Sequence, residues 1–232
     1  MGETVLLAAR RGNGSEDLRR VLVALELTVT RVFTGTEALA QHERLRPDLV
    51  VVELDLPDIH GLDLCRRLRR QSDVPVVVVG QGTSEMERVL ALELGADDVI
   101  GQGSGLDELG ERVRAVLSRG RRSRRPDPRP QVLEFGDVAI DRRAHVLTMG
   151  GRRQQLTPME IELLWALAQR AGEVVTAREL LRDVWGYPAG VQTRTLDVHI
   201  GRVRRKLGED GRDPRIIITV RSVGYRFDPP GP

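Results

Sequence analysis

Five times in the first half of this 232-residue chain a short run rich in Val and Leu gives way to a stretch with helical spacing. The strand-like runs are Thr4–Ala9, Thr28–Phe33, Leu49–Glu53, Val74–Val79 and Asp98–Ile100. The helical stretches are Glu16–Leu25, Thr36–Leu45, Gly61–Arg70, Ser84–Leu94 and Leu106–Leu117. Strands joined through a helix run parallel, because the crossover returns the chain to the end where it began. Leu49-Val50-Val51-Val52 is apolar without alternation, the mark of a strand covered on both faces. The spacing predicts an α/β domain: a doubly wound (βα)5 fold around a central parallel sheet. Gly95, directly after the apolar run of the fourth helix, suits the left-handed residue that ends one.

Past Ser118 the pattern changes. Residues 119–131 are rich in Arg and Pro without apolar periodicity and read as a linker. It is either a tether kept open by like charge or an arm that adds phosphate contacts. It divides residues 1–118 from a second domain at 132–232. There Val132–Asp141, His145–Met149 and Gln154–Leu156 read as short antiparallel strands, with Gly150-Gly151 at a turn. Thr157-Pro158-Met159-Glu160 combines a capping residue, a proline at the first helical position and a glutamate that closes the box. Thr176-Ala177-Arg178-Glu179 repeats the device before Leu180, Leu181, Val184 and Trp185. A third helix spans Thr195–Leu207, and Ile216–Val220 with Tyr225–Phe227 reads as a hairpin turning near Arg221–Gly224. Three helices and a terminal hairpin make an α+β winged helix-turn-helix.

Charge divides along the same line. Net charge is −6 over residues 1–118 and +8 over 119–232, so the second half is suited to a polyanion. No run of about 18 apolar residues is present, and no basic segment precedes an apolar stretch at the N-terminus. Neither a membrane span nor a secretory signal is expected. One cysteine, Cys65, excludes an internal disulfide framework. It reads as a small core residue of a helix and fits a reducing cytoplasm, the expected location.

At about 100° per residue, Ile200, Val203 and Leu207 fall within about 40° of Leu196 and form the buried stripe of the third helix. The opposite face carries Arg194, Val198, Gly201, Arg202 and Arg205, a set able to meet base edges in a major groove. His199, Arg204 and Lys206 lie on the flanks, toward phosphates. Arg221 falls at the hairpin tip, within reach of a minor groove. An ordinary solvated arginine face is the alternative for the helix alone.

Arg194-Thr-Leu-Asp-Val-His-Ile-Gly-Arg-Val-Arg-Arg-Lys-Leu207 closely resembles the recognition helix of the OmpR/PhoB family, and Ile218-Thr-Val-Arg-Ser-Val-Gly-Tyr-Arg-Phe227 resembles its wing. The resemblance implies that Arg194, His199, Arg202, Arg204, Thr219 and Arg221 contact double-stranded DNA. Arg202 would read bases, Arg221 would enter the minor groove, and the sites would be direct repeats. Gly201 departs from a larger polar residue in relatives, and Ser222 from a common wing glycine.

The first half resembles the receiver domain of the same family. Such a domain holds Mg²⁺ on an acidic pair after strand one and accepts a phosphoryl group on an aspartate ending strand three. It senses that group with a hydroxyl after strand four and a lysine after strand five. Here those positions are Ala9 and Arg10, Glu53, Gly80 and Gln102. Gly103 stands for the family's proline and Val99 for its switch aromatic. Neither Mg²⁺ nor phosphate is expected, no cofactor is implied, and no enzyme's set of nucleophile, base and oxyanion donors can be assembled. Three readings of Glu53 stand side by side. It pairs with Arg10 across the cleft mouth, it mimics a phospho-aspartate, or Asp55 serves as a displaced acceptor.

Family dimers pair through the fourth helix, fifth strand and fifth helix. The matching ion pairs would be Arg88 with Glu108, Asp98 with Arg112, and Asp97 with Arg119, around Val89, Leu92 and Leu109. The leading reading is a transcription regulator whose receiver-like domain forms a homodimer without phosphate. The alternatives are a phosphorelay regulator with a variant pocket and a regulator controlled by a small-molecule ligand in the cleft. RNA polymerase is a further candidate partner.

Overall fold

A computed structural model describes residues 2–80, 84–101, 106–124, 131–188, 193–209 and 212–230, with backbone alone at 106–107 and 119–124. Gln102 and Gly103, singled out above, lie outside the described residues. The chain folds as two compact units, Met1–Leu117 and Ser118–Pro232.

The first unit runs β1 (Thr4–Ala8), α1 (Asn13–Ala24), β2 (Thr28–Val32), α2 (Gly35–Leu45), β3 (Leu49–Glu53), α3 (Gly61–Gln71), β4 (Val76–Gly80), α4 (Glu85–Glu93), β5 (Asp98–Gly101) and α5 (Leu106–Arg124). Its sheet is parallel throughout, in the order β2-β1-β3-β4-β5. Val5, Leu7, Leu49, Val51 and Val77 pack against Leu18 and Leu22 of α1 and Leu109, Val113 and Val116 of α5. The alternate residues Leu6, Val50, Val52, Val76 and Val78 are as deeply buried on the other face, as the period of two requires. Chain order reverses at β1, so a crevice opens at the carboxyl ends of β1 and β3, where open α/β sheets bind ligands.

Two expectations change here. The stretch read as linker from residue 119 continues α5 as far as Arg124, since arginine is a good helix former. Leu92 and Leu109, expected at an exposed patch, belong to the core. Cys65 does lie in the core with Leu64 and Leu68, inward of Arg66 and Arg67. Gly95 follows α4 at φ 119°, stacked on the Arg69 side chain.

The second unit opens with an antiparallel sheet β6 (Val132–Phe135), β7 (Val138–Asp141), β8 (Val146–Met149) and β9 (Arg152–Gln155). Val132–Asp141, read above as one strand, is a hairpin broken at Gly136, whose φ of 57° turns the chain back. Gly150 and Gly151 both take positive φ in the two-residue turn between β8 and β9, the conformation for which that dipeptide is suited. Then come α6 (Pro158–Ala168), β10 (Val174–Thr176), and α7 (Ala177–Leu180), which runs on as a π-helical turn over Leu181–Trp185. α8 (Thr195–Lys206) and the hairpin β11 (Ile217–Val220) and β12 (Gly224–Phe227) complete the unit. Both expected capping boxes are formed, at Thr157–Glu160 and at Thr176–Glu179. Leu196, Ile200, Val203 and Leu207 all face the core, among Met159, Leu164, Trp185 and Phe227.

β10 was not anticipated. It pairs with β12, and the crossing is close: a Cβ on Gly224 would lie 2.1 Å from the carbonyl oxygen of Val175. Gly224→Ala should therefore cost about 2–3 kcal/mol. Both tryptophans, Trp165 and Trp185, lie in this unit, so denaturant unfolding followed by their fluorescence reads its stability. An unchanged midpoint would mean that β12 does not approach β10 so closely.

Candidate nucleic-acid interface and amino-terminal cleft

The orientation of α8 follows from one buried carboxylate. Glu160 sits in the first turn of α6, fully buried, and its Oε2 accepts the Thr157 backbone amide at 2.9 Å. The same oxygen accepts from Lys206 Nζ at 2.6 Å, and Oε1 lies 2.8 Å from Arg202 Nη2. The Arg202 approach is an ion pair whose angle is too bent for a hydrogen bond. Burial would push the Glu160 carboxyl up, but Arg202, Lys206 and the Thr157 amide outweigh it and hold it at about 2. Lys206 also donates to the Gln155 carbonyl, while Gln154 donates to the Lys206 carbonyl, so β9 grips the end of α8.

The helical wheel is corrected at several positions. Arg202 and Val198, placed on the open face by angle, are buried, at 8% and 7% exposed. His199 is fully buried, its Nδ1 2.8 Å from the Thr195 carbonyl oxygen and its ring edge-on to Trp185. Arg204, expected on a phosphate flank, turns inward. Its guanidinium donates to the Ile217 carbonyl and to Thr219 Oγ1 and lies over Tyr225. A wheel counts one buried stripe, whereas α8 is also covered along its sides. Left in the open are Arg194, Asp197 and Arg205 on α8, with Thr219 and Arg221 on the hairpin. Arg221, Ser222 and Val223 form the hairpin tip, and Ser222 occupies a left-handed conformation at φ 62°.

Two contacts that the sequence did not suggest fix the hairpin to α8. Tyr225 donates its hydroxyl to Asp197 Oδ1 at 2.7 Å, and Asp197 Oδ2 lies 3.5 Å from Arg194 Nη1. Burial and that carboxylate push the Tyr225 hydroxyl far above its ordinary range, so it stays a donor. Glu209 accepts from the amides of Arg215, Ile216 and Ile217, where β11 begins.

In the first unit the crevice holds Ala9 and Arg10 after β1, Glu53 at the end of β3, and Gly80 at the end of β4. Arg10 meets Glu53, though not by the expected salt bridge: its backbone amide donates to Glu53 Oε2 at 2.8 Å. Burial pushes the Glu53 carboxyl up, against the pull of that amide and the Arg10 charge, and Asp55 adds to the rise. The loop beyond is tightly held. A Cβ on Gly61 would lie 2.4 Å from the Glu53 carbonyl oxygen, and Gly61 donates to the Leu54 carbonyl. Asp58 accepts from the amides of Gly35 and Thr36 and from the Thr36 hydroxyl, capping α2 from a distance. Among the described residues no group of three or more His, Cys, Asp or Glu is placed to hold a metal ion.

Four of the six charges expected across a dimer interface, Asp97, Asp98, Glu108 and Arg112, are engaged within the chain. Asp98 pairs with Arg112 at 3.1 Å, and Arg112 also meets Glu108, one turn earlier on α5. Asp97 pairs with Arg69 at 2.9 Å and accepts the Val76 amide. The side chain of Arg119 lies outside the described residues. No described helix is long and apolar enough to cross a membrane.

Residues 15–114 match the family described as the response regulator receiver domain, and residues 151–227 the family described as transcriptional regulatory protein, C terminal. The DNA-binding response regulator MtrA of Mycobacterium tuberculosis (strain ATCC 25618 / H37Rv) is 40% identical over 231 residues, covering 99% of each chain. The KDP operon transcriptional regulatory protein KdpE of Escherichia coli (strain K12) is 39% identical, over 90% of this chain and 94% of that one. Among solved structures, the response regulator DrrB, a Thermotoga maritima OmpR/PhoB homolog, aligns with a TM-score of 0.52 at 28% identity. That alignment covers 98% of this chain and 100% of DrrB. A mutant of RitR aligns with a TM-score of 0.76 at 25% identity, over 99% of this chain and 100% of that one.

Replacing Glu160 by Gln should strand Arg202 and Lys206 and cost the second unit about 3 kcal/mol at neutral pH. Because the folded carboxyl is held low, its contribution is complete above the unfolded value of 4.5 and fades as pH falls toward about 2. Tryptophan-monitored unfolding of both proteins from about pH 7 to about pH 2.5 should show the gap between them narrowing below 4.5. A gap independent of pH would contradict this account.

Proposed function

The chain belongs to the OmpR/PhoB-type response regulators, and we propose that it regulates transcription through a receiver-like unit that works without phosphoryl transfer. One observation carries the reading: Arg10 stands where the family places an acidic residue, and its amide occupies the Glu53 carboxylate. Mg²⁺ requires several oxygen ligands in near-octahedral array. Ala9, Arg10 and a glutamate already accepting an amide do not fit that ion. Glu53 carries one methylene more than aspartate, which displaces its oxygens from where an in-line attack would begin. Gly80 has no hydroxyl with which to sense a phosphoryl group.

DNA is met by the open face of α8 and by the hairpin. Arg194 and Arg205 face the major groove, while Thr219 and Arg221 reach the backbone and the adjacent minor groove. Arg202, Arg204 and His199 hold these elements in place.

The unit associates through α4, β5 and α5. Met86 and Leu90, one turn apart on α4, are 80% and 44% exposed, an apolar pair that a second copy would cover. Exposed ion pairs give about 0.2–1 kcal/mol each, so the apolar contact supplies most of the association and Arg88 stands at its rim. Two copies present two α8 helices, and linked binding raises the affinity for paired sites.

Incubation with acetyl phosphate and Mg²⁺ should leave the intact mass unchanged. A stable phosphoryl adduct on Glu53 or Asp55 would overturn the proposal. Light scattering on untreated protein at tens of micromolar should give twice the 25.8 kDa chain mass, and Leu90→Glu should return it to one. A monomeric wild type would remove the dimer from the reading.

A further inference from the structure

Along α8 the solvent-facing stripe is Arg194, Asp197, Gly201 and Arg205, which lie at about 160°, 100°, 140° and 180° from the buried Leu196. Its central position has no side chain. Glycine inside a helix costs about 1 kcal/mol relative to alanine, so a reason is needed, and the protein's own packing does not supply one. A Cβ at Gly201 would meet nothing within 4 Å, and the residue is not among those with positive φ. Neither backbone conformation nor a close neighbour demands glycine there, in contrast to Gly61 and Gly224.

One side chain reaches back to this backbone and leaves the space itself empty. Arg205, a full turn later, folds back along the helix so that its Nε–H reaches the Gly201 carbonyl at 3.4 Å. That long hydrogen bond sets the Arg205 side chain beside the Gly201 carbonyl, next to the open position. Arg202, the neighbour that a wheel would put on this face, is turned into the core against Glu160.

We infer that Gly201 is a specificity determinant: it leaves a notch that lets the α8 backbone approach a base-pair edge and makes Arg205 the base-reading arginine of this helix. The inference rests on the reading of α8 as the DNA-contacting helix. A guanidinium at this place recognises the paired acceptors of guanine in the major groove. The notch beside it admits a neighbouring base pair at a depth that any Cβ would prevent.

The test uses the full chain and a pool of random-sequence duplexes, from which the preferred duplex is selected. Wild type, Gly201→Ala, Arg205→Ala and Arg194→Ala are then titrated against that duplex and a scrambled one. Gly201→Ala should melt at or above the wild-type temperature. It should bind the selected duplex about ten-fold more weakly and the scrambled duplex within about two-fold of wild type. Repeating the selection with Gly201→Ala and with Arg205→Ala should relax preference at the same or an adjacent base pair. If Gly201→Ala keeps its affinity for the selected duplex, or weakens on both duplexes alike, the notch is refuted. Should both arginine variants also bind as wild type, the fault lies instead in assigning α8 to DNA.

Discussion

A single buried carboxylate, Glu160, decides how the second unit presents itself. A lone buried charge is prohibitively costly, so its environment must supply both opposite charge and hydrogen bonds. Here the Thr157 amide, Arg202 and Lys206 do so together. Arg202 and Lys206 are four residues apart and converge on one point, which removes the freedom of α8 to roll about its axis. The carboxylate also belongs to the cap of α6. The start of one helix and the facing of another are therefore one interaction, and either would be lost with it.

The hairpin inherits that orientation. Arg204 reaches from α8 to the Ile217 carbonyl and Thr219, and Tyr225 returns the contact through Asp197. Gly224 permits β12 to lie against β10, adding a third strand that stiffens the hairpin base. The tip at Arg221 is thus carried on a clamped base while remaining open itself. An arginine proposed to enter a groove gains from such a mounting, because less freedom is lost when it binds. Two arginines that the resemblance implies as DNA contacts, Arg202 and Arg204, are engaged inside the protein.

In the first unit the sheet still forms its crevice, because that depends on strand order and not on what lines it. Gly61 and Asp58 hold the loop after β3 against the end of that strand and the start of α2. What differs is the lining: an arginine amide engages the carboxylate at the end of β3, and the residue at the end of β4 is glycine. Asp98, Arg112 and Glu108 are joined within one chain. These charges steady α5 against β5.

The local elements were legible because their causes are local. Period and crossover length determined the parallel sheet, residue spacing determined both capping boxes, and two adjacent glycines determined the turn after β8. The buried stripe of α8 could be read from angles, since Leu196, Ile200, Val203 and Leu207 differ from their neighbours in solubility. Arg202, His199 and Arg204 could not be read in this way. An arginine is soluble in water and equally satisfied by a buried partner, and that partner, Glu160 or the Ile217 carbonyl, comes from distant sequence. The same holds for Asp98 and Arg112, whose opposite charges fit a pair within a chain as well as one between chains. Sequence alone thus determined which elements exist and which family they resemble. Only the tertiary structure decided which charges face outward, because a charge is placed by whatever the fold brings beside it.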